Sequence, residues 1–450
     1  MLNFTRKNSF IALAILLNTS ILHATEAKDS HHYNLQQAID YSLDNNPNLQ
    51  IMQEKIAQAK TQLGIALSSF YPNIKTRLSY EHTDNPSRAF GMIIAQRRLE
   101  FTPSTDFNHP GGTDNYRPEV TASYSLFRGG QDYYQSKAAQ LGIEAATLEK
   151  SAIRNQLVQT VSSIFYAYLA STEADKVALR SIEAVENELK QSQIRYEAGS
   201  VLRSDVLSLE VQLAEAHDNK IQTANAIEIS KISLKRLLGL TAQQSFEIDA
   251  SSQWVLPEDK QSFEQLLGIA LSQRPETKAA NKRIEIAQQQ LNSALGSYLP
   301  KADAYVSYGS DSKNLDFDTN QDNLTAGVMV ELDIFSGFRD KENVKNAEYE
   351  LSIAKKLAKQ NQLNIENAVK TAHLKTREAL ARVKVTSKSV TASEEALRLV
   401  NEQRKAGTVT VTRYIDAEVA RDRSHARYIA ARFDALRAET ELNQAIGYWK

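Results

Sequence analysis

Two very long segments of the chain carry apolar or small residues at alternating intervals of four and three. The seam of the second segment runs through Ile365, Val369, Ala372, Thr376, Ala379, Val383, Thr386, Val390, Ser393, Leu397 and Val400. The same register 208 residues earlier runs through Leu157, Val161, Ile164, Tyr168, Ser171, Asp175, Ala178, Ile182, Val185, Leu189 and Ser192. This spacing, sustained over several heptads, predicts coiled-coil helices that pack closely in antiparallel fashion.

The pattern places these helices at about 131–198 and 341–406. At 1.5 Å per residue each would be on the order of 100 Å long. Each ends at a glycine, Gly199 or Gly407, the usual left-handed terminator of a helix. A tight turn and a long return helix are therefore expected after each glycine.

Four shorter stretches alternate instead between apolar and polar residues, at 74–80, 120–126, 302–308 and 324–332. Strands with one apolar and one polar face are typical of a transmembrane barrel wall between lipid and water. Aromatic residues near the strand ends would form an interfacial girdle, and they are Tyr71, Tyr80, Phe127, Tyr298, Tyr308 and Phe335. A half-buried soluble sheet is the alternative interpretation.

The sequence contains an internal duplication. "SSFYPNIKTRLSY" (68–80) and "GSYLPKADAYVSY" (296–308) each turn a helix into a strand at a proline, and Pro72 and Pro300 lie 228 residues apart. "SLFRGG" (125–130) and "DIFSGF" (333–338) match at an offset of 208. The 20 extra residues of the first copy fall at roughly 84–118. We therefore predict one duplicated unit, with a longer loop in the first copy.

The duplication and the breaks in the pattern divide the chain. The predicted parts are a signal peptide at 1–27, a first repeat at 28–240 with a β-hairpin at about 73–127, a linker at 241–262, and a second repeat at 263–450 with a β-hairpin at about 301–334. The prolines Pro47 and Pro275, also 228 residues apart, are well placed to begin helices.

The N-terminus has the features of an export signal. Arg6 and Lys7 precede a short apolar run at 10–17, and cleavage is expected after Ala24 or Ala27. The run is too short to span a bilayer, although a short membrane anchor is the alternative. No other stretch approaches 18 apolar residues, so no transmembrane helix is predicted, and an exported chain without one is periplasmic, secreted or an outer-membrane β-protein.

Composition narrows the function further. The chain of 450 residues has 16 Gly and 9 Pro, which is few for its length and favours long uninterrupted helices. The 53 basic and 54 acidic residues nearly cancel, so a nucleic-acid partner is not predicted. The absence of cysteine excludes disulfides, cysteine-ligated metals and thiol catalysis. No nucleophile–base or metal-ligating pattern stands out, so we predict neither an enzyme nor a cofactor or metal site.

Four strands are too few to close a membrane barrel, because open edges leave backbone groups unpaired in lipid. Several chains must therefore contribute to one barrel. Three chains would give twelve strands and, with four long helices each, twelve helices. The alternative is a structural periplasmic stalk or adhesin.

The chain resembles the TolC family of outer-membrane efflux proteins over essentially its whole mature length. The resemblance rests on the duplication, on "YP" and "LP" before the strands, on "SLFRGG" and "DIFSGF", and on "YEAGSVLRSDVL" and "RKAGTVTVTRYIDAE" at the helical turns. It implies a mostly α fold with a membrane β-barrel portion: a long antiparallel coiled-coil α-barrel and a 12-stranded trimeric β-barrel, with four strands per chain and an internal two-fold duplication.

The resemblance also implies a homotrimer in the outer membrane, in contact with lipid, with a helical tunnel in the periplasm. The inner end of such a tunnel stays closed until a periplasmic adaptor and an inner-membrane pump dock. The helix-turn tips expected to touch the adaptor are Gly199, Ser200, Gly407 and Thr408.

The closed end is expected to involve four charged residues. Asp205 and Asp416 match family aspartates, whereas Arg404 stands at a family tyrosine and Arg413 at a second ring aspartate. A further departure is Val409, at the position of a gating arginine. We hypothesise that Arg404 pairs with Asp205 as a closed-state latch, and that Arg413 weakens cation selectivity at the Asp416 ring. Alternatively, these charges only solvate a helix end.

The expected function is that of an exit duct in a tripartite export system. The stretch "NPSRAFGMIIAQRRLEF" (85–101) resembles one in family members that serve proton-driven pumps of the resistance–nodulation–division type for small molecules or metals. A duct for type I protein secretion with an ABC transporter is the alternative.

Overall fold

The computed structural model describes residues 31–241, 243–249, 254–316 and 319–449. The predicted signal peptide at 1–27 lies outside these residues. Within them the chain is mostly helical, with one small sheet of four strands and one of two.

Apart from one short helix of the first half (Pro86–Ala95), the strands and α-helices repeat in the same order in the two halves. The first half contains β1 (His31–Tyr33), α1 (Leu35–Asn45), α2 (Pro47–Leu67), β2 (Asn73–Thr83), α3 (Pro86–Ala95), β3 (Thr113–Arg128), α4 (Gln131–Glu197) and α5 (Arg203–Leu238). The second contains β4 (Phe246–Ile248), α6 (Phe263–Gln273), α7 (Pro275–Leu295), β5 (Lys301–Ser310), β6 (Asp322–Glu331), α8 (Arg339–Lys405) and α9 (Val411–Ile446). Since α4 and α8 both have 67 residues and α5 and α9 both have 36, the predicted duplication is confirmed.

Prolines mark the helix starts and the passages from helix to strand. Pro47 and Pro275 are the first residues of α2 and α7, where a missing backbone N–H costs nothing. A short 3-10 turn follows each helix, and strand β2 or β5 begins directly after Pro72 or Pro300.

The larger sheet is antiparallel, in the order β2-β3-β5-β6. Its apolar residues alternate as predicted: Val120 lies opposite Thr76 on one side and Tyr308 on the other. In the described residues, β2 and β6 have one strand partner each. The single chain therefore presents two open sheet edges.

The helices form a layer centred on α4, which packs against α2, α5, α7 and α9. Helix α8 packs against α7 and α9 and lies at the opposite edge from α2 and α5. The main core surrounds the fully buried Phe165 of α4 and Leu234 and Leu238 of α5. The small parallel sheet of β1 and β4 joins this core through Tyr33 and Phe246.

The two halves meet most closely where the strands join the helices. A Cβ atom on Gly129 would lie 2.1 Å from the carbonyl oxygen of Gly296, and one on Gly296 would lie 2.5 Å from that of Gly129. Only glycine permits such backbone contact. None of the described helices is both long enough and apolar enough to cross a membrane.

Candidate functional site at the helical turns

Each long helix turns back through a left-handed glycine. Gly199 has φ 74° and Gly407 has φ 72°. The amides after them close the helix ends, since Ser200 N donates to Arg195 O at 2.7 Å and Thr408 N to Gln403 O at 3.0 Å. No neighbouring atom lies within 4 Å of an added Cβ at either glycine, so the left-handed backbone, and not space, requires glycine.

A buried ion pair joins the two halves just above these turns. The Arg404 Nε of α8 lies 3.0 Å from Glu188 Oε1 of α4. Arg404 Nη2 donates to Ser192 Oγ at 3.3 Å, and Ser192 Oγ donates to Glu188 at 3.4 Å. All three residues are buried, Arg404 being only 7% exposed. The guanidinium thus links one turn of α4 to the end of α8.

The predicted pair between Arg404 and Asp205 is wrong in this chain. Asp205 lies in the first turn of α5, where its carboxylate accepts from Leu202 N at 3.4 Å. It caps the exposed N-terminal end of its own helix, a favourable place for an anion. Because the Arg404 side chain of α8 is buried against α4, its partner is Glu188 of α4 and not Asp205.

An apolar cluster surrounds the ion pair and contains residues of both halves. Val185 and Leu209 of the first half pack with Val400, Val411 and Tyr414 of the second. Val409, at the position of the expected gating arginine, packs against the same cluster. Burial, with a contribution from the charge of Glu188, raises the pKa of Tyr414 to about 12. The Tyr414 hydroxyl therefore stays neutral at any physiological pH.

The remaining predicted residues lie on exposed surfaces around this cluster. Arg413 and Asp416 are both exposed in the first turns of α9, three residues apart and therefore on one face. Neither has an ion-pair partner in the described ranges of this chain. Ser200 and Thr408 are exposed at the tips. Of the four predicted gate residues, only Arg404 takes part in the buried contacts.

A second polar group lies further along α9. Glu418 is almost fully buried and pairs with Arg421, whose Nε lies 3.0 Å from Asp422 Oδ1. Burial raises the pKa of Asp422, against the opposing effects of the Ser181 hydroxyl, Arg421 and His425. In the described part of the chain, no group of three or more histidine or acidic side chains could hold a metal ion.

Sequence reasoning missed Glu188, although a signal was present. At the offset of 208, Glu188 corresponds to Ala396 and Arg404 to Tyr196. The first copy therefore has a negative charge, and the second a positive charge, at a position where the other copy is uncharged. In the structure these two differences meet in one ion pair.

The chain contains two copies of a long helical hairpin, and the turns of both hairpins pack in one apolar cluster. Both copies continue into a single sheet with two open edges. This arrangement is typical of the channel-tunnel class of outer-membrane proteins. The family model described as "Outer membrane efflux protein" matches residues 38–240 and 266–448, and the chain belongs to this family. The resemblance drawn from the sequence and the outer-membrane location that it implied are thereby confirmed.

Individual relatives are distant. The chain is 20% identical to the alkaline protease secretion protein AprF of Pseudomonas aeruginosa over 69% of its own length and 63% of that of AprF, less than two thirds. It is 21% identical to the pyoverdine export outer membrane protein OpmQ of Pseudomonas putida, over 92% of this chain and 85% of OpmQ. The crystal structure of the CmeC outer membrane channel of Campylobacter jejuni shares the fold, with a TM-score of 0.78, 16% identity, and coverage of 92% of this chain and 85% of that one.

Proposed function

We propose that three copies of this chain form the exit duct of a tripartite export system. The duct passively conducts small molecules or metal ions delivered by an inner-membrane pump and a periplasmic adaptor. The observation that carries the proposal is the pair of open edges: β2 and β6 lie at opposite sides of the sheet. Head-to-tail pairing of β6 with β2 of the next copy closes a ring of twelve strands.

The helices at the two edges of the chain also have exposed apolar surfaces through which neighbouring copies could pack. Helix α8 exposes Ile353, Leu357, Leu374, Val385 and Leu399, which share one heptad register, and also Leu363 outside it. Helix α5, at the other edge, exposes Leu207, Val211, Ile221 and Ile232, again in one register, and also Ile229 outside it. Since exposed heptad seams bury themselves against partner helices, α8 of one copy is expected to pack against α5 of the next.

Trimeric assembly is tested by the migration of outer-membrane fractions on denaturing gels with and without heating. A trimer-sized band that heat converts to monomer supports the duct. A monomeric or elongated non-channel species would favour the stalk or adhesin alternative.

The pump is identified by cross-linking in cells, purification of this protein, and mass spectrometry of the co-purifying inner-membrane protein. A parallel purification without cross-linker serves as the control. A proton-driven pump of the resistance–nodulation–division type supports small-molecule or metal export. The OpmQ relative, named for pyoverdine export, aligns over nearly the whole of this chain and favours a small molecule, rather than a protein, as the cargo.

Protein secretion with an ABC transporter is the second candidate. It is favoured by the AprF relative, which is named for secretion of a protease and aligns over a shorter part of this chain. Recovery of an ABC transporter in the same cross-linking experiment would support it in place of the first. In either case, the tips at Gly199, Ser200, Gly407 and Thr408 are the proposed contact with the adaptor.

The closed state of the duct is proposed to depend on the Glu188–Arg404 pair. The pair and the apolar cluster around it hold α8 against α4 next to both turns. Opening of the inner end would separate these helices, so the pair is the natural contact to break. The exposed Arg413 and Asp416 and the half-buried Asp205, all beside the turns, are proposed to set the charge of the entrance.

A further inference from the structure

Among the described residues, the short helix α3 of the first half has no counterpart in the second. It lies in the connection between β2 and β3, residues 84–112, whereas β5 and β6 are joined by residues 311–321. Both connections leave the sheet at the end away from the long helices. Asn85 caps α3 by accepting from Arg88 N, and Pro86 is its first residue. The extra residues of the first copy therefore form an ordered element.

Polar contacts fix α3 to the first two strands. Arg88 forms an ion pair with Glu81 of β2. Gln96, directly after the helix, is completely buried. Its Nε2 donates to Asp114 O at 2.7 Å and to Asn115 Oδ1 at 2.9 Å, both in β3.

The same network reaches the other two strands. Asn115 Nδ2 donates to Asp311 Oδ1 at 2.7 Å, just beyond β5. Asp311 is 2% exposed and also accepts from Arg117 Nη1 at 2.8 Å and Asn323 Nδ2 at 3.0 Å. A buried carboxylate with this many donors makes a rigid attachment point.

Arg97 connects the end of α3 to β6, the strand at the far edge of the sheet. Its Nη2 donates to Asp322 O, the first residue of β6, at 2.9 Å. Arg97 has φ 52°, a left-handed conformation that a non-glycine residue keeps only where its surroundings hold it. The segment from Arg88 to Arg97 is thus tied directly to the outer ends of β2, β3 and β6, and through Asn115 to Asp311, which directly follows β5.

The contacts identify the face of the sheet on which α3 lies. Glu81, Asn115 and Arg117 alternate out of step with the exposed apolar residues Leu78 and Val120. In a membrane barrel the apolar face meets lipid and the polar face lines the lumen. The helix therefore lies on the lumen side of the outer mouth.

We infer that α3 is a fixed constriction inside the outer mouth of the channel, which limits the size of the solutes that pass. This inference rests on the proposed trimeric duct, in which three copies of α3 would surround one opening. The direct contacts with β2, β3 and β6 make the constriction a permanent feature of the mouth. The periplasmic turns control opening independently at the other end.

The test uses a single reporter cysteine, because the chain contains none. Lys75 is exposed on the polar face of β2, opposite Thr121 and near the strand end remote from α3. A Lys75→Cys variant in intact cells is treated with a small maleimide or with a bulky polyethylene-glycol maleimide that porins exclude. The label is read as a shift in mass of the purified protein.

The small reagent is expected to label Cys introduced at position 75, and the bulky one is not. Replacing residues 86–110 with a short Gly–Ser linker should raise bulky labelling to the extent seen with the small reagent. A milder variant, Gln96→Ala with Arg88→Ala, should give a partial rise without shortening the loop. His109→Ala is the control, since the His109 side chain is exposed and pairs with the exposed Asp106 of the same loop.

Bulky labelling of the intact-loop protein, or no rise in either loop variant while the small reagent still labels, would overturn the constriction. Failure of the small reagent in every variant would instead contradict the lumen assignment and, with it, the proposed duct. The heat-modifiable trimer band checks that each variant has assembled.

Discussion

At the scale of single residues, the two copies differ most informatively in their charges. Arg404 stands where the first copy has Tyr196, and Glu188 where the second has Ala396. A pair formed between copies cannot be read from either copy alone. It also couples the halves, because removing one partner leaves the other charge buried and unpaired.

Replacing Arg404 or Glu188 with alanine should therefore destabilise the closed end by about 3–5 kcal/mol, the usual cost of stranding a buried charge. Each single variant should raise the resting conductance in planar bilayers. The double variant should lose less stability than the sum of the two, since no charge is then left alone. Thermal unfolding, followed by helical circular dichroism, measures the stabilities.

Arg398→Ala is the matched control for this cycle. Arg398 belongs to the same helix and pairs with Glu395 at 2.8 Å, but both side chains are exposed. Its loss should leave conductance and unfolding unchanged. Equal effects of Arg398→Ala and Arg404→Ala, or full additivity of the two buried substitutions, would show that the Glu188–Arg404 pair does not stabilise the closed state.

Asp422 gives the chain a pH dependence of defined sign. Burial raises the pKa of this carboxyl above its ordinary value of 3.8. The folded chain then binds the proton more tightly than the unfolded chain. The free energy of unfolding therefore falls as pH rises from the ordinary pKa of the carboxyl to its raised pKa in the folded chain. Asp422→Asn should flatten that fall and stabilise the protein at neutral pH. Exposed Asp416→Asn is the control, and a stability loss with Asp422→Asn at neutral pH would contradict the argument.

At the scale of elements, the junction of strand and helix depends on two glycines in backbone contact. Gly296 has an ordinary helical conformation, φ −61°, so its need for glycine comes from the close approach of the Gly129 backbone and, to a smaller extent, of the Gln131 side chain. Gly296→Ala should therefore lower the thermal unfolding midpoint and the yield of trimer, because two backbones must separate. Gly268→Ala, in a helix with no atom within 4 Å of the added Cβ, should be neutral or stabilising. Equal effects would show that the close contact is unimportant.

The elements themselves were largely accessible to sequence reasoning, because helix and strand periods are long-range patterns. The heptad register, the prolines at 47 and 275 and the glycine at 407 each act on the local backbone, and the structure bears them out. Helix α3 escaped notice because its ten residues are too few to show a period. The partner of Arg404 escaped because a contact between copies depends on how α4 and α8 pack. Periodicity predicts which face is buried but does not name the residue opposite.

At the scale of the whole molecule, the trimer would multiply every exposed charge at the turns into a ring of three. Arg413 and Asp416 share one exposed face of α9, so their rings would lie one helical turn apart and largely offset each other. The fields overlap because the Debye length is about 10 Å at 0.1 M salt. The entrance should therefore discriminate weakly between cations and anions.

Arg413→Asp should convert the entrance into two acidic rings and shift the reversal potential towards that of a cation-selective channel. The measurement is made in planar bilayers under a potassium chloride gradient, and the shift should shrink as total salt is raised. Arg423→Asp is the matched control: it makes the same change of charge on the same helix, at an exposed position further from the turn. An equal shift from Arg423→Asp would mean that the total charge of the tunnel, and not the ring at the turns, sets selectivity. No shift from Arg413→Asp would place this face of α9 outside the conducting path.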